Sequence, residues 1–302
     1  MARNSRSLAS PRHWPTWLGL LVLYLVTKLL SYGSAVRLGK RIGRLGLLLA
    51  KRRRHIAEVN LGLCYPDLSD SERQRLLQEH FESAGIGLIM TGFAWWANND
   101  KLQPLVTVEG LELLQQSLTQ GRGAILLGCH FTDLEFYGRL LARFTPVGVM
   151  YRQHENPVIE WAYSRNKRQN FDPVIPRDDI RQLIRTLKAN KVIWYAPDQS
   201  FKGRNSTLAP FFGIPAATNT GTSRLAKVSR APLHPFIAFR LPGGQGYKLI
   251  IKPALEGFPT DDLTADAAFI NRVIEEEIAY APAQYLWMHR RFKKRKGLPD
   301  PY

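Results

Sequence analysis

In the stretch AILLGCHFTDLEFYG, residues 124–138, an apolar run ends at Gly128-Cys129-His130, and Asp133 and Glu135 follow within five positions. An imidazole is the side chain best suited to move protons near neutral pH. A carboxylate bonded to one ring nitrogen would leave the other free as a general base. On one continuous helix five positions turn roughly 500°, which sets His130 and Glu135 about 140° apart. The two can meet only if His130 sits in a loop and Glu135 in the first turns of the next helix. Taken alone, the pattern is better explained by a capped helix start, with Asp133 or Glu135 complementing the helix dipole. Cys129 is a poor nucleophilic partner for His130, because neighbouring strand side chains point to opposite faces.

The surrounding sequence supplies elements that could position such a histidine. GAILLG reads as a short buried strand, and PVGVMY (146–151) and KVIWYAP (191–197) read as two more. Helical stretches near 156–169 and 178–190 separate them, and a helix is expected over 109–119. PLHPFIAFRL and YKLIIKPAL predict two later strands joined as a hairpin through Pro242-Gly243-Gly244, with a helix near 264–280. Ser69-x-x-Glu72 is a capping box ahead of a helix running to about Trp96. Strand–helix alternation predicts an α/β fold: one globular domain with a mixed, largely parallel central sheet flanked by helices. In such sheets sites form at the carboxyl ends of strands, where His130 falls.

The chain has 302 residues, with 42 Lys and Arg against 25 Asp and Glu, a net charge of +17. A surplus of this size implies a polyanionic partner: nucleic acid, an anionic membrane or a phosphorylated substrate. The two cysteines, Cys64 and Cys129, give neither a disulfide framework nor a zinc site, and fit a reducing compartment. No H-E-x-x-H, P-loop lysine or G-x-G-x-x-G motif occurs, so neither a metal nor a nucleotide cofactor is indicated.

Trp14 to Gly33 is the most apolar segment, carrying Lys28 near its end and Trp14, Trp17, Tyr24 and Tyr32 as interfacial anchors. Its length is at the lower limit for a span, so a half-buried helix is an alternative. A signal peptide is a second alternative, with Arg3, Arg6 and Arg12 as its basic region. The charge that follows, Arg37 to Arg54, argues against export and for an uncleaved anchor with the body in the cytoplasm. The organisation expected is an anchor over 1–36 and a catalytic domain over 37–302, whose basic segment 37–54 lies on anionic lipid. A second basic cluster, Arg290, Arg291 and Lys293–Lys296, lies near the C-terminus.

CHFTDLE, MYRQHENP, WYAPDQS, PFFGIPAATNTGT and QYLWMHRRFK occur in this order. Together they resemble the lipid A biosynthesis acyltransferases, the secondary or late acyltransferases of Gram-negative bacteria, over almost the whole chain. The resemblance implies that His130 and Glu135 are the catalytic pair, His130 as general base and Glu135 orienting it. It implies transfer of an acyl chain, lauroyl by the members this sequence resembles, from acyl carrier protein to a 3-hydroxyacyl hydroxyl of Kdo-modified lipid IVA. No cofactor and no covalent acyl-enzyme are implied, since the acyl carrier protein thioester is a co-substrate. Arg152 is a candidate for binding phosphate or the oxyanion, with an ordinary ion pair as the alternative. Asp198 is a candidate site residue, pairing with Arg152 or a substrate hydroxyl. Phe211, Phe212 and Gly213 are candidates for the acyl channel, with a core turn as the alternative; His154 is expected on a surface loop. The implied location is the cytoplasmic face of the bacterial inner membrane. The competing readings are a sister enzyme with another chain length or lipid acceptor, and a membrane-anchored nucleic-acid-binding protein. No nucleic-acid-binding motif supports the latter.

Overall fold

The structure, a computed structural model, describes residues 8–293 and 295–302. Arg3, Arg6 and Lys294, named above, lie outside the described residues. Four N-terminal helices come first: α1 (Trp14–Leu29), α2 (Tyr32–Leu49), α3 (Lys51–Cys64) and α4 (Asp70–Trp96). A single turn, α5 (Asn99–Leu102), leads into the α/β body. That body runs β1 (Val106–Glu109), α6 (Leu111–Leu118), β2 (Ala124–Leu127), α7 (Leu134–Leu141), β3 (Val147–Tyr151), α8 (Pro157–Asn170), β4 (Val174–Pro176), α9 (Ile180–Lys188) and β5 (Val192–Tyr195). A hairpin follows, β6 (Ser206–Phe211) and β7 (Ile214–Asn219), then α10 (Gly221–Ser229), β8 (Leu233–Arg240), β9 (Tyr247–Ile251) and α11 (Leu263–Ala279).

Seven strands form one sheet in the order β1-β9-β8-β2-β5-β3-β4. Every pairing is parallel except β8 with β9, so the sheet is mixed and largely parallel, as the alternation predicted. β2 is central, flanked by β5 and β8, and all four of its residues are buried. A strand with no solvent side must be apolar throughout, which explains the unbroken AILL run.

Two segments differ from the sequence expectation. The helix expected from Glu109 begins at Leu111, because Val106–Glu109 is an extra strand pairing with β9. Gly110, at φ 79°, makes the break between them. The N-terminal apolar segment is not a spanning anchor. α1 has 16 residues, about 24 Å long, against a bilayer core of about 30 Å. The chain turns extended at Leu30, and no helix among the described residues is long and apolar enough to cross a membrane. The division at residue 36 falls inside α2.

The N-terminal helices are instead packed onto the body. Thr27 and Leu23 of α1 sit where a Cβ at Gly92 of α4 would lie. Lys28 donates to the Trp96 carbonyl at 2.9 Å, and Trp17 meets Trp161 of α8 with centroids 5.3 Å apart. α2 and α4 cross at backbone contact, since a Cβ on Gly85 would lie 2.2 Å from the Gly39 oxygen. The other half of α1 is bare: Trp14, Leu18, Leu21, Val22, Leu25 and Leu29 form one exposed stripe at helical spacing.

Candidate active site

His130 lies just beyond β2, and Asp198 just beyond the neighbouring parallel strand β5. Parallel neighbours deliver both residues to the same sheet edge. The Asp198 carboxylate accepts from His130 Nδ1 at 2.6 Å and from the His130 backbone N–H at 3.1 Å. Asp198 is 1% exposed, while the His130 side chain keeps 24%. With Nδ1 bonded to a carboxylate, Nε2 carries the free lone pair. The Trp194 ring meets the imidazole edge-on at 6.1 Å.

Burial alone would drive the proton off His130, but the Asp198 charge and hydrogen bond outweigh it and raise its proton affinity; Lys167 opposes them. Burial likewise pushes the Asp198 carboxyl up, yet His130 and then Arg291 hold it below the ordinary aspartate range. The pair therefore favours an ionised aspartate beneath a histidine that titrates above its ordinary value.

Glu135 is not the residue on the histidine. It sits in the first turn of α7, where it accepts from Tyr163 Oη at 2.5 Å and Lys167 Nζ at 2.9 Å. Tyr163 and Lys167 are four residues apart and so share one face of α8. Lys167 is 8% exposed and also lies over the rings of Tyr163 and Phe171, each 4.9 Å away. Asp133 does not compete for the ring either. It is 3% exposed and ion-paired with Arg240, with a hydrogen bond from Tyr247.

The other candidates separate. Asp198 pairs with His130 rather than Arg152, whose exposed side chain reaches Glu155 at 3.5 Å. Phe211 is fully buried against Tyr285, Phe292 and the Arg291 guanidinium, so it is core. Phe212 and Gly213 form the β6–β7 turn, both at positive φ (50° and 73°), the geometry of a two-residue hairpin. His154 is exposed. In the C-terminal cluster, Arg291 is 2% exposed and donates inward to Ala217 O, Thr218 and Asn271, and Arg290 pairs with Asp300.

Three further groups stand near the pair. The ring of His289, from WMHRRF, accepts from the Ser200 N–H at 3.4 Å. Burial and Lys293 push its titration down to about 4, so it is neutral. Glu277 of α11 is 1% exposed, and its carboxyl faces the Cys129 thiol and the Phe236 backbone with no cation paired to it among the described residues. Burial pushes that carboxyl well above its ordinary range, with the Asp198 charge adding to it. Cys129, next to His130 in the chain, is buried, and its thiol is pushed well up by that burial. Segment 284–286 closes the loop: Thr132 N–H donates to Gln284 O at 2.8 Å, and Leu286 N–H to His130 O at 2.9 Å. α4 presses on the loop at Gly87, where a Cβ would lie 2.2 Å from the Thr132 oxygen. Among the described residues no cluster of three or more His, Cys, Asp or Glu is placed to hold a metal ion.

The arrangement is chemically a base: an imidazole with one nitrogen fixed and one open, at the edge of a parallel sheet. A family model described as bacterial lipid A biosynthesis acyltransferase matches residues 1–294. The chain is 41% identical to the lipid A biosynthesis lauroyltransferase of Escherichia coli K12, over all of this chain and 99% of that one. It is 40% identical to the palmitoleoyltransferase of the same organism, over 96% and 95% of the two chains. The E. coli myristoyltransferase is 28% identical over 98% of this chain and 93% of its own.

Proposed function

The chain belongs to the bacterial lipid A biosynthesis acyltransferase family and is an O-acyltransferase, and from that premise we propose that it moves a lauroyl chain from acyl carrier protein to a 3-hydroxyacyl hydroxyl of Kdo-modified lipid IVA. The observation that carries this reading is His130, bonded at Nδ1 to a buried aspartate and open at Nε2. Nε2 takes the proton of the acceptor hydroxyl as its oxygen attacks the thioester carbonyl. The tetrahedral oxyanion collapses, the carbon–sulfur bond breaks, and the imidazolium returns its proton to the departing thiolate. The acceptor brings its own nucleophile, so no acyl-enzyme forms and no cofactor is needed. Asp198 is a positioning residue that fixes the tautomer and stabilises the imidazolium. Glu135 acts through Lys167, whose ammonium it holds beside the histidine.

We further infer that the protein works on the cytoplasmic surface of the inner membrane, lying on the bilayer. The exposed stripe of α1 is apolar and aromatic, and α2 and α3 follow with Arg37, Lys40, Arg41, Arg44 and Lys51–Arg54. An apolar face rimmed by cations suits an in-plane helix on anionic lipid. The net charge of +17 also suits recruitment of acyl carrier protein, an acidic partner.

Near-equal identity to a lauroyl- and a palmitoleoyltransferase makes palmitoleoyl the second reading for the donor. The deciding experiment is acyl transfer by purified protein in detergent, with Kdo-modified lipid IVA and carrier thioesters of 10 to 16 carbons offered in competition. Preferred use of the 12-carbon donor is expected. A preference for the 16-carbon monounsaturated donor selects the second reading, and no product from any donor overturns both.

A further inference from the structure

One charge in the acyl-transfer step has no partner assigned to it: the oxyanion formed when the acceptor oxygen adds to the thioester carbonyl. Arg152 is exposed and pairs with Glu155, and the Lys167 ammonium is held by Glu135 and enclosed by two rings. His289, from WMHRRF, is placed differently. Segment 286–293 clasps both loops of the site. Leu286 N–H donates to the His130 carbonyl at 2.9 Å, Ser200 Oγ donates to the Lys293 carbonyl at 2.9 Å, and Ser200 N–H donates to His289 Nε2 at 3.4 Å. Ser200 is two residues beyond Asp198, so the His289 ring lies against the chain that carries the partner of His130. The backbone of His289 is held from behind. Asn60 of α3, 1% exposed, gives its two amide protons to the Trp287 carbonyl at 2.6 Å and the His289 carbonyl at 2.7 Å.

The bond from Ser200 decides the tautomer. With Nε2 accepting, the single proton of the neutral ring sits on Nδ1. The residue is half-buried, and Nδ1 has no partner among the described residues and is not closed off from solvent. The charged and titratable groups facing the ring are Lys293, Asp198, His130 and Arg291. Burial first, and Lys293 next, keep it from taking a second proton. A neutral imidazole held in this way gives a hydrogen bond to an oxygen as charge develops on it, without itself becoming a competing base for the acceptor's proton.

We propose that His289 is a catalytic residue whose Nδ1–H donates to the thioester oxyanion while His130 Nε2 holds the acceptor's proton. The proposal rests on the acyl-transfer reading given above. The acceptor O–H proton passes to His130, the new carbon–oxygen bond forms, and the carbonyl π pair moves onto oxygen, where Nδ1–H meets it. The proton of His289 stays in place. The pair then returns, the carbon–sulfur bond breaks, and the proton on His130 goes to the thiolate. Two histidines thus divide the work by tautomer: one has its Nδ1 bonded and a lone pair open, the other has its Nε2 bonded and a proton open.

The test uses full-length protein with His289→Ala and His289→Asn, the latter placing an amide N–H near the position of Nδ1. Two rates are read with carrier thioesters of 12 and 16 carbons: transfer to Kdo-modified lipid IVA, and the slower hydrolysis of the thioester when no acceptor is added, which passes through the same kind of oxyanion. His289→Ala should lower both rates about 10²–10³-fold, with KM for each substrate within about threefold of wild type. His289→Asn should recover about tenfold of that loss, because a donor is restored. The acid limb of the kcat/KM profile, set by His130, should stay in place in both variants. That readout separates loss of a donor from displacement of the His130–Asp198 pair. His289→Ala rates within about threefold of wild type would overturn the proposal. So would a loss carried by KM, an equal loss in the two variants, or an acid limb that moves. If the wild type hydrolyses the thioester through His289 but transfers to no acceptor, the oxyanion role stands and the acceptor reading fails. If the wild type turns over the thioester in neither way, both fail.

Discussion

The loop after β2 is tied down by two buried aspartates, and they behave differently. On the β8–β9 side, Asp133 meets Arg240, Tyr247 and the Thr132 hydroxyl, and Arg240 also donates to Ser83 at 3.0 Å. On the β5 side, Asp198 meets His130 twice. The two aspartates are 3% and 1% exposed, so burial does not separate them. Their partners do. Arg240 stays charged at any ordinary pH and offers no acceptor, so its pair can only hold structure. His130 can lose its proton and keeps a lone pair outside the bond, so its pair can do chemistry. Two similar carboxylates that hold one loop, one on it and one from the end of β5, are thus divided between stability and reactivity by whether the partner can change its protonation.

The sharpest way to break this comparison is His130→Ala. Acyl transfer should fall by about 10³-fold or more with far-UV circular dichroism retained, while melting temperature drops because the buried Asp198 loses its partner. Activity within tenfold of wild type would take the base away from His130. Arg240→Met should do the converse, lowering unfolding free energy by roughly 3–5 kcal/mol because a buried carboxylate is left alone. Measured by urea denaturation, that loss should accompany a kcat within about threefold of wild type at low temperature. A collapse of kcat in folded protein would show the Asp133 side to be chemical as well.

Asp198→Asn should cost about 10²-fold in kcat and also move the pH profile. In the wild type, His130 titrates above its ordinary value, so kcat/KM falls as pH drops through that raised value. In the variant, burial and Lys167 remain and both drive the proton off, so the acid limb should shift to lower pH. A limb that stays in place would mean Asp198 is not what holds the ring. Linkage gives the stability side with its sign. The raised His130 contributes fully below about pH 6.5 and loses its contribution as pH rises through the folded value. The lowered Asp198 contributes fully above about pH 3.9 and loses it on acidification, so the pair stabilises most between those limits. The smallest effect is expected for Glu135→Gln, about tenfold in kcat, because it loosens Lys167 without touching the ring. A loss equal to that of His130→Ala would return Glu135 to the histidine.

Much of this fold could be read from periodicity. The runs AILL, VGVMY and VIWY are apolar because their strands lie inside the sheet, and the Pro242-Gly243-Gly244 hairpin between β8 and β9 appeared where expected. The placement of His130 at a strand end was equally legible, since an apolar run must stop somewhere. What sequence could not supply was strand order. WYAPDQS marks Asp198 as the end of a strand, but only the adjacency of β5 and β2 turns it into the partner of His130. Glu135 is close to His130 in sequence, yet in space it bonds Tyr163 and Lys167, contacts that sequence spacing alone does not reveal. Its real partners left a signal in the spacing of Tyr163 and Lys167 on one helix face, which points to a shared target without naming it. α1 was read too long because composition does not show where a helix breaks, and Leu30 breaks this one.

The bonds from Gln284 and Leu286 to the His130 loop also bear on how the protein is made. The loop and its closing segment are separated by about 155 residues, which ribosomes translate in roughly ten to thirty seconds. Throughout that interval a nascent chain carries His130 and, from midway, Asp198, yet lacks the 284–286 segment that bonds the His130 loop. Its apolar N-terminal helices meanwhile emerge first and are free to meet lipid. On the bilayer reading proposed above, arrival at lipid and onset of activity would be separated in time, and a chain released before residue 284 would lack the assembled His130 loop.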